Sequence, residues 1–599
     1  MKDDAKEMET TSASDLIEAV NERSDLEPEV DETFVPDGFV LTEQGLYKLL
    51  PLKDGSNDFQ WICDWIHVKA LTENMEGREN GILVELRTRK GTLRELIILA
   101  KHFSGSGTRV IAELLDLGFR IAPGPARKDF LRALQEWNHY RWCISTTKRG
   151  WVNDRNFILP DSSVLGPGNF KFVGQDVAMG APKNGTLEGW RTEVASKAPG
   201  NPLVILAIAA SLAGPLLAQL GLEGGGVHYR GGSSSGKSTL LNTAASVWYA
   251  PGEVQSWQGT ISGMEAKAAA FNGTCLCLDE LAEVSATAAD TLIYVLANGS
   301  GKARANSQGG QAEANRFGLV IQSSGEIDIA TKLAEGGRTA QAGQTLRLMD
   351  LQADSRQHGV FDTLHDLPDG RRFSEHLKTS AAMHHGHAGP AFVDALLKRG
   401  TVPFIKAQGL IAHFLYTTRE RHKKSVNDIA DRAMKRFAVY AAAGELATAY
   451  GLTGWPPKTA YDAAQDMFGL WLQGQTTPEE IAEIEAVRRV QAFLERHGED
   501  CRDLALPPPD ADAPLVFRKD QFAFLPCETW SMIHGSMDPR KAARALETRG
   551  LLSFGDGRNM MAKAPAGSGM SRGYKVHLSI LDWNPSELSE SRKMVSLLV

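Results

Sequence analysis

Residues Gly231-Gly-Ser-Ser-Ser-Gly-Lys-Ser-Thr239 fit the pattern G-x4-G-K-[ST], and this stretch narrows the folds open to the chain more than any other. The pattern requires a short strand feeding a glycine-rich turn that opens a helix. Backbone N–H groups can then curl round phosphate oxygens at a helix N-terminus. GVHYR precedes the turn and TLLNTAASVWYA follows it, so both flanks have the expected character. Gly231, Gly232, Ser233, Ser234, Ser235, Gly236, Lys237, Ser238 and Thr239 are therefore the nucleotide-binding candidates. Lys237 is expected to reach the β- and γ-phosphates of ATP, and Ser238 a Mg2+ ion.

A phosphate loop of this kind needs acidic groups opposite it. About forty residues on, Thr274-Cys-Leu-Cys-Leu-Asp-Glu280 reads as a buried strand ending in two carboxylates. Asp279 is expected to hold Mg2+ through water and Glu280 to polarise the attacking water, because phosphoryl transfer is mostly positioning and charge neutralisation. A second buried strand, Arg316-FGLVIQSSGE, ends in Ser323 and Ser324, either of which can sense the γ-phosphate beside the Asp-Glu strand. Between the two strands, DTLIYVLANGSGKARANSQGG runs from a helix into a glycine-flanked turn that carries Lys302 and Arg304. In a ring ATPase the segment after the sensor strand supplies an arginine to the neighbouring subunit, and Arg347 or Arg338 is the candidate. Arg436, or else Arg432, is the candidate for an arginine that touches the nucleotide of its own chain.

Net charge argues against nucleic acid only if it is read without regard to position. The chain carries −8, but residues 1–32 hold 12 acidic and three basic groups, so the other 567 residues are close to neutral. With few large apolar residues and no aromatics, 1–32 is expected to be a disordered acidic tail. Its acidic start is unlike a signal or transit peptide. The tail is expected either to compete with DNA for basic surface or to recruit a replication-loading partner. The six cysteines show no CxxC pair or metal-ligand spacing, which suits a reducing, cytoplasmic setting. His384, His385 and His387 sit in a Gly/Pro turn without nearby Cys or carboxylate partners and read as a structural loop rather than a metal site. Residues 198–222 carry no charge and are long enough to span a bilayer. They contain Pro202 and Pro215 and lack flanking aromatic or basic anchors, so a buried core helix is expected and a membrane span is the alternative.

The pattern of elements divides the remainder. Residues 33–186 read as a β-rich α+β domain with one or two helices such as 125–140, and 187–355 as the α/β P-loop ATPase core. Residues 356–475 read as a helical lid that includes DRAMKRFAVYAAAGELATAYG, and 476–599 as a C-terminal domain beyond linker signals at 473–480 and 506–514. Near the C-terminus Asp538 and Pro539 suit a helix start and Gly550 a helix stop, and a basic hairpin follows, as in a winged helix-turn-helix. Residues 538–575 hold eight bases against three acids. Arg540, Lys541, Arg544, Arg558, Lys563 and Arg572 are the candidates for nucleic-acid contact.

Several of these stretches together resemble the bacterial P-loop family termed "domain of unknown function 927". They are GWVNDRNFILP, the phosphate loop, LCLDEL, YVLANGSGKARA, SSGE, AGQTLRL, HHGHAG, RFAVYAAAGELA and DPRKAARALETRGLL, spread over roughly 34–595. Members occur in phages, integrative elements and cassette chromosomes, and some look like self-loading replicative helicases related to AAA+ and superfamily 3 enzymes. The resemblance implies an AAA+/superfamily 3-like α/β P-loop NTPase, in which Lys302 and Arg304 lie on a pore hairpin and 498–595 form a winged-helix domain. Ser324 stands where many relatives have Thr. The expectation is an ATP- and Mg2+-dependent DNA helicase or translocase of a mobile element that acts as a homo-oligomer, in all expectation a hexamer, on single-stranded or forked DNA. The rival expectations are a nucleotide-switched DNA-binding regulator and a membrane-associated P-loop ATPase.

Overall fold

The structure, a computed structural model, describes residues 35–53, 57–174, 183–299, 304–305, 311–312, 316–336, 346–422, 428–475, 478–497, 502–503, 516–555, 560–566 and 571–583. The acidic tail, Lys302, Arg338, Arg558 and the linker at 506–514 lie outside these residues. The chain divides into two compact units, the first ending at Gly474 and the second beginning at Gln475.

The first unit opens with a three-stranded antiparallel sheet (Phe39–Thr42, Gly45–Pro51, Asn57–Cys63). A five-stranded mixed sheet follows, and the helices Thr108–Asp116 and Pro125–Glu136 share a core with the two. The expected 125–140 helix ends at Glu136, and the Trp137 backbone is already extended.

Next comes a parallel sheet of β1 (Gly225–Arg230), β2 (Gln255–Ser256), β3 (Cys275–Asp279), β4 (Val320–Gly325) and β5 (Leu348–Gln352), in the spatial order β2-β3-β4-β1-β5. Parallel strands covered on both faces read as apolar runs. CLCLD does so: Cys275 and Cys277 are fully buried, as their alternation in the sequence suggests. The sheet order puts β4 between the phosphate-loop strand and the acidic strand. Whatever β4 carries at its C-terminal end must therefore lie beside both.

The uncharged run 198–222 becomes α1 (Pro202–Leu212) and a six-residue helix, Gly214–Gln219. Every α1 residue from Leu203 to Leu212 is buried, so the helix is apolar all round because protein covers it all round. Among the described residues no helix is long and apolar enough to cross a membrane. Asn201 fastens the start of α1: its amide donates to Lys197 O and Thr363 O, and its Oδ1 accepts from the Asp362 and Thr363 N–H groups. On β4, Gln322 donates to Ala207 O of α1 at 2.8 Å and accepts from the Tyr229 hydroxyl at 2.9 Å.

Sheet helices are α2 (Lys237–Ala245), α3 (Ile261–Ala270) and α4 (Ala286–Asn298). Beyond β5 come α5 (Gly370–Met383), α6 (Ala388–Leu397), α7 (Val402–Arg421), α8 (Asp428–Ala449) and α9 (Thr459–Gln473). The last group holds the residues expected as a lid, yet α8 and α9 pack directly on α1 and share one apolar core with the sheet. Gly444 of α8 makes this approach possible, because a Cβ there would meet Ala460 Cβ at 2.4 Å. The His-rich turn is structural: the Asn184 and His385 backbones pair, and the Thr186 N–H donates to His384 Nδ1. Among the described residues no His, Cys, Asp and Glu cluster has metal-holding geometry.

The second unit contains α10 (Pro478–His497), β6 (Phe522–Leu525), α11 (Cys527–His534), α12 (Pro539–Glu547), β7 (Leu552–Ser553) and β8 (Arg572–His577). β8 lies between β6 and β7 and pairs antiparallel with both. The Asp538 side chain accepts from the Arg540 N–H at the start of α12, as its sequence position suggests. Trp530 stacks on Tyr574 and fills the space between α11 and β8.

Candidate functional site

The phosphate loop leaves β1 after Arg230 and enters α2 at Lys237. Gly236 sits at φ +102°, a conformation that strains any residue with a Cβ, and a Cβ there would come within 2.7 Å of Val360 Cγ2. Val360 belongs to a turn beyond β5 that walls the loop. Its N–H donates to Ser235 O at 3.0 Å, and Gly359 (φ +75°) would press a Cβ to 2.3 Å from that oxygen. Asp354 Oδ2 accepts the Gly232 N–H at 2.9 Å. The sequence reading missed this wall; the glycine in RQHGVF is its faint signal.

Within the loop Lys237 is 8% exposed, and its ammonium folds back to donate to Gly231 O at 2.8 Å and Gly232 O at 2.7 Å. Gly232, Ser233 and Ser234 are exposed, as is Ser238 on the first turn of α2. Thr239 is different. It is buried and its hydroxyl bonds Ser374 of α5 at 2.6 Å, so it braces the helix and does not face a nucleotide.

The two carboxylates stand at the C-terminal end of β3, on the same edge of the sheet as the loop. The Ser324 hydroxyl donates to Asp279 Oδ1, and the Glu280 N–H lies 3.1 Å from that oxygen and 3.4 Å from Ser324 Oγ. Glu280 is held at φ +58°, ψ +74°, a left-handed conformation that costs a non-glycine residue about 1–3 kcal/mol. Burial raises the pKa of its carboxyl, and the negative charges of Asp279 and Glu326 raise it further, while Lys237 pulls the other way. The ammonium and this carboxyl thus act on each other across one site.

Ser323 is corrected to a structural residue. Alternation along β4 turns it to the opposite face from Ser324. There Trp257 Nε1–H donates to Ser323 Oγ at 2.8 Å, and Ser323 Oγ lies 2.9 Å from His228 Nδ1. His228 Nε2 lies 3.0 Å from Ile327 O, which can only accept. The proton is therefore on Nε2, and Nδ1 takes the Ser323 hydroxyl proton. This buried chain ties β1, β4 and the approach to α3 together, and residue types alone did not reveal it.

Burial lowers the His228 pKa from 6.5 to about 4. Between those values the unfolded chain binds a proton that the folded chain refuses. The stability from a neutral His228 is complete above about pH 6.5, shrinks as pH falls and is gone near pH 4, about 3 kcal/mol in all. Urea midpoints at pH 7.5 and 5.0 test this: the acid-side loss should be clearly smaller in His228→Gln than in the parent. Equal losses would refute the assignment.

Two of the arginine expectations can be placed. Arg347 directly precedes β5, at the end of the sheet opposite the phosphate loop and about 15 Å from it along the strand. Its guanidinium lies over the Tyr294 ring of α4, 4.7 Å from the centroid. Arg436 is corrected: from α8 its half-buried guanidinium donates to Gly224 O at the foot of β1, the end away from the loop, and desolvation there lowers its pKa. Gly225 makes room for it, because a Cβ there would meet Arg436 Nη1 at 1.9 Å. Arg432 is exposed.

Of the bases expected at nucleic acid, Arg304 lies on a strand (Arg304–Ala305) paired antiparallel with Gln311–Ala312, and not in the turn expected to carry it. Arg540, Lys541 and Arg544 are exposed on α12, and Lys563 and Arg572 are exposed and directly opposite each other across two strands. Arg549 is taken up internally by Glu483. Lys575 lies against the Phe522 ring.

Residues 39–316 match the sequence model of a family described as "Domain of unknown function (DUF927)", and the resemblance read from the sequence is borne out over that stretch. A solved structure titled "SCCmec type IV Cch - active helicase" is similar to this chain. The TM-score is 0.60 at 18% identity, covering 92% of this chain and 100% of that one, a likeness of fold. No curated protein matches by sequence.

Proposed function

We propose that the chain is an ATP-driven DNA helicase or translocase of a mobile element that works as a ring of identical subunits, six by the family resemblance. The observation that carries this is the division of the sheet into two ends. Lys237, Asp279, Glu280 and Ser324 meet at one end, and Arg347 stands at the other, too far along the sheet to touch a nucleotide in its own loop. The helicase-titled structural neighbour and the resemblance to a family found in mobile elements support the same reading.

In this reading ATP lies in the loop with its phosphates on the amides of 233–238, and Lys237 exchanges its two carbonyl partners for phosphate oxygens. The exposed Ser238 hydroxyl and the Asp279 carboxylate suit a Mg2+ ion by donor chemistry; the ion would neutralise phosphate charge. Glu280 accepts the proton of the attacking water. Ser324, bonded to Asp279 in this structure, senses the phosphate, and Arg347 of the next subunit meets the charge that develops. AAA+/superfamily 3 descent is the reading that fits the strand order β2-β3-β4-β1-β5.

The second unit supports a winged-helix reading through its order β6–α11–α12–β7–β8, with β8 between β6 and β7. Arg540, Lys541 and Arg544 on α12 and Lys563 and Arg572 on the wing would contact phosphates, while Lys302, Arg304 and Arg558 complete the proposed DNA contacts. Such contacts are sequence-independent and weaken with salt. ATPase activity measured with and without single-stranded DNA, on protein whose mass is determined with ATP bound, tests the proposal. A hexameric mass and DNA-stimulated turnover are expected. A monomer whose turnover ignores DNA would refute it in favour of an ATP-switched regulator.

A further inference from the structure

Tyr294 is 52% exposed on α4, between the buried Ile293 and Val295. Its ring nevertheless has a partner, the Arg347 guanidinium 4.7 Å from the centroid. Close by, the half-buried Arg436 guanidinium is fixed on Gly224 O, and the positive charge of Arg347 acts on it. A long arginine side chain at a strand start would otherwise sample many rotamers. Here the electron-rich face of the half-exposed Tyr294 ring receives it. That contact holds the Arg347 guanidinium on the surface of α4.

We propose that Tyr294 is a positioning residue that holds Arg347 in the orientation from which it reaches the nucleotide of a neighbouring copy. The proposal rests on the assignment of Arg347 as the arginine that acts between subunits. An arginine presented in advance meets transition-state charge without first being ordered, so its holder should affect turnover more than nucleotide binding. The ring does this work, and the hydroxyl is not needed for it.

The test is steady-state ATPase of the full chain with saturating single-stranded DNA for Arg347→Ala, Tyr294→Leu and Tyr294→Phe, with a melting midpoint for each. Arg347→Ala should lower kcat by about 10³-fold. Tyr294→Leu should lower it by about 10–100-fold with KM within about twofold. Tyr294→Phe should keep parent kcat, a rescue that general destabilisation would not give. Parent kcat in Tyr294→Leu beside a defective Arg347→Ala overturns the positioning role alone. An equal defect in Tyr294→Phe also overturns it, because the ring is then not the cause. Parent kcat in Arg347→Ala overturns both this inference and the arginine assignment beneath it.

Discussion

Lys237→Ala should remove ATP turnover, with kcat/KM falling by about 10³-fold or more. The size of the effect follows from the position of the ammonium. It is 8% exposed, bonded to two loop carbonyls and electrostatically coupled to Glu280. A charge so little exposed is screened less than one at the surface, so its loss should be felt strongly. Two losses combine. The phosphates lose their cationic partner, and Gly231 O and Gly232 O lose the donor that holds the loop closed. Glu280 also loses the one positive charge that opposes the rise of its pKa. Lys237→Arg is the informative companion: it keeps the charge, but a planar guanidinium does not fit a cradle shaped around a compact ammonium, so it should recover little. Nucleotide binding, turnover and a melting curve on each variant separate these effects. Near-parent turnover in Lys237→Ala would rule out the loop as the catalytic site.

The loop and the Asp-Glu strand end were legible because each is a local pattern whose chemistry depends on backbone geometry a few residues long. What failed to show in the sequence depends on distant partners. Ser323 and Ser324 are chemically alike, and strand alternation says only that they point opposite ways. The Trp257–Ser323–His228 chain decides which one is inside, and its members come from three separated segments. Arg436 sits in an alanine-rich helix whose pattern says that one face is buried, not what that face meets. Gly225 alone of the glycines 224–226 marks the place where the arginine approaches the foot of β1. Thr239 belongs to the motif by position, yet Ser374, 135 residues away, claims its hydroxyl. The prolines and missing anchors of the uncharged run 198–222 favoured a core helix over a membrane span, and the structure bears this out, but they did not say what covers it. Its surroundings, α8, α9 and the sheet, are far along the chain.

Glu280→Gln should leave ATP binding within a few-fold of the parent and lower hydrolysis by about 10²–10⁴-fold, the usual contribution of a positioned general base. Glutamine keeps the shape and can occupy the same left-handed backbone no worse than glutamate does, so the hydrogen bonds of the 280 N–H to Asp279 and Ser324 should survive. The lost property is the ability to take a proton from water. The parent's pH profile carries an independent signature. Burial and the charges of Asp279 and Glu326 raise the Glu280 pKa, so its basic form should be lost on acidification at a higher pH than for an exposed glutamate. The acid limb of kcat/KM, which reports the free enzyme, should accordingly lie above the ordinary carboxylate range. Asp279→Asn, which removes a neighbouring negative charge as well as a proposed metal ligand, should lower the Glu280 pKa while it weakens metal-dependent binding. The two carboxylates then separate by phenotype: the glutamine variant traps ATP in an intact oligomer, and the asparagine variant fails to hold the Mg2+–ATP complex. Substantial hydrolysis by Glu280→Gln would assign the base to another residue.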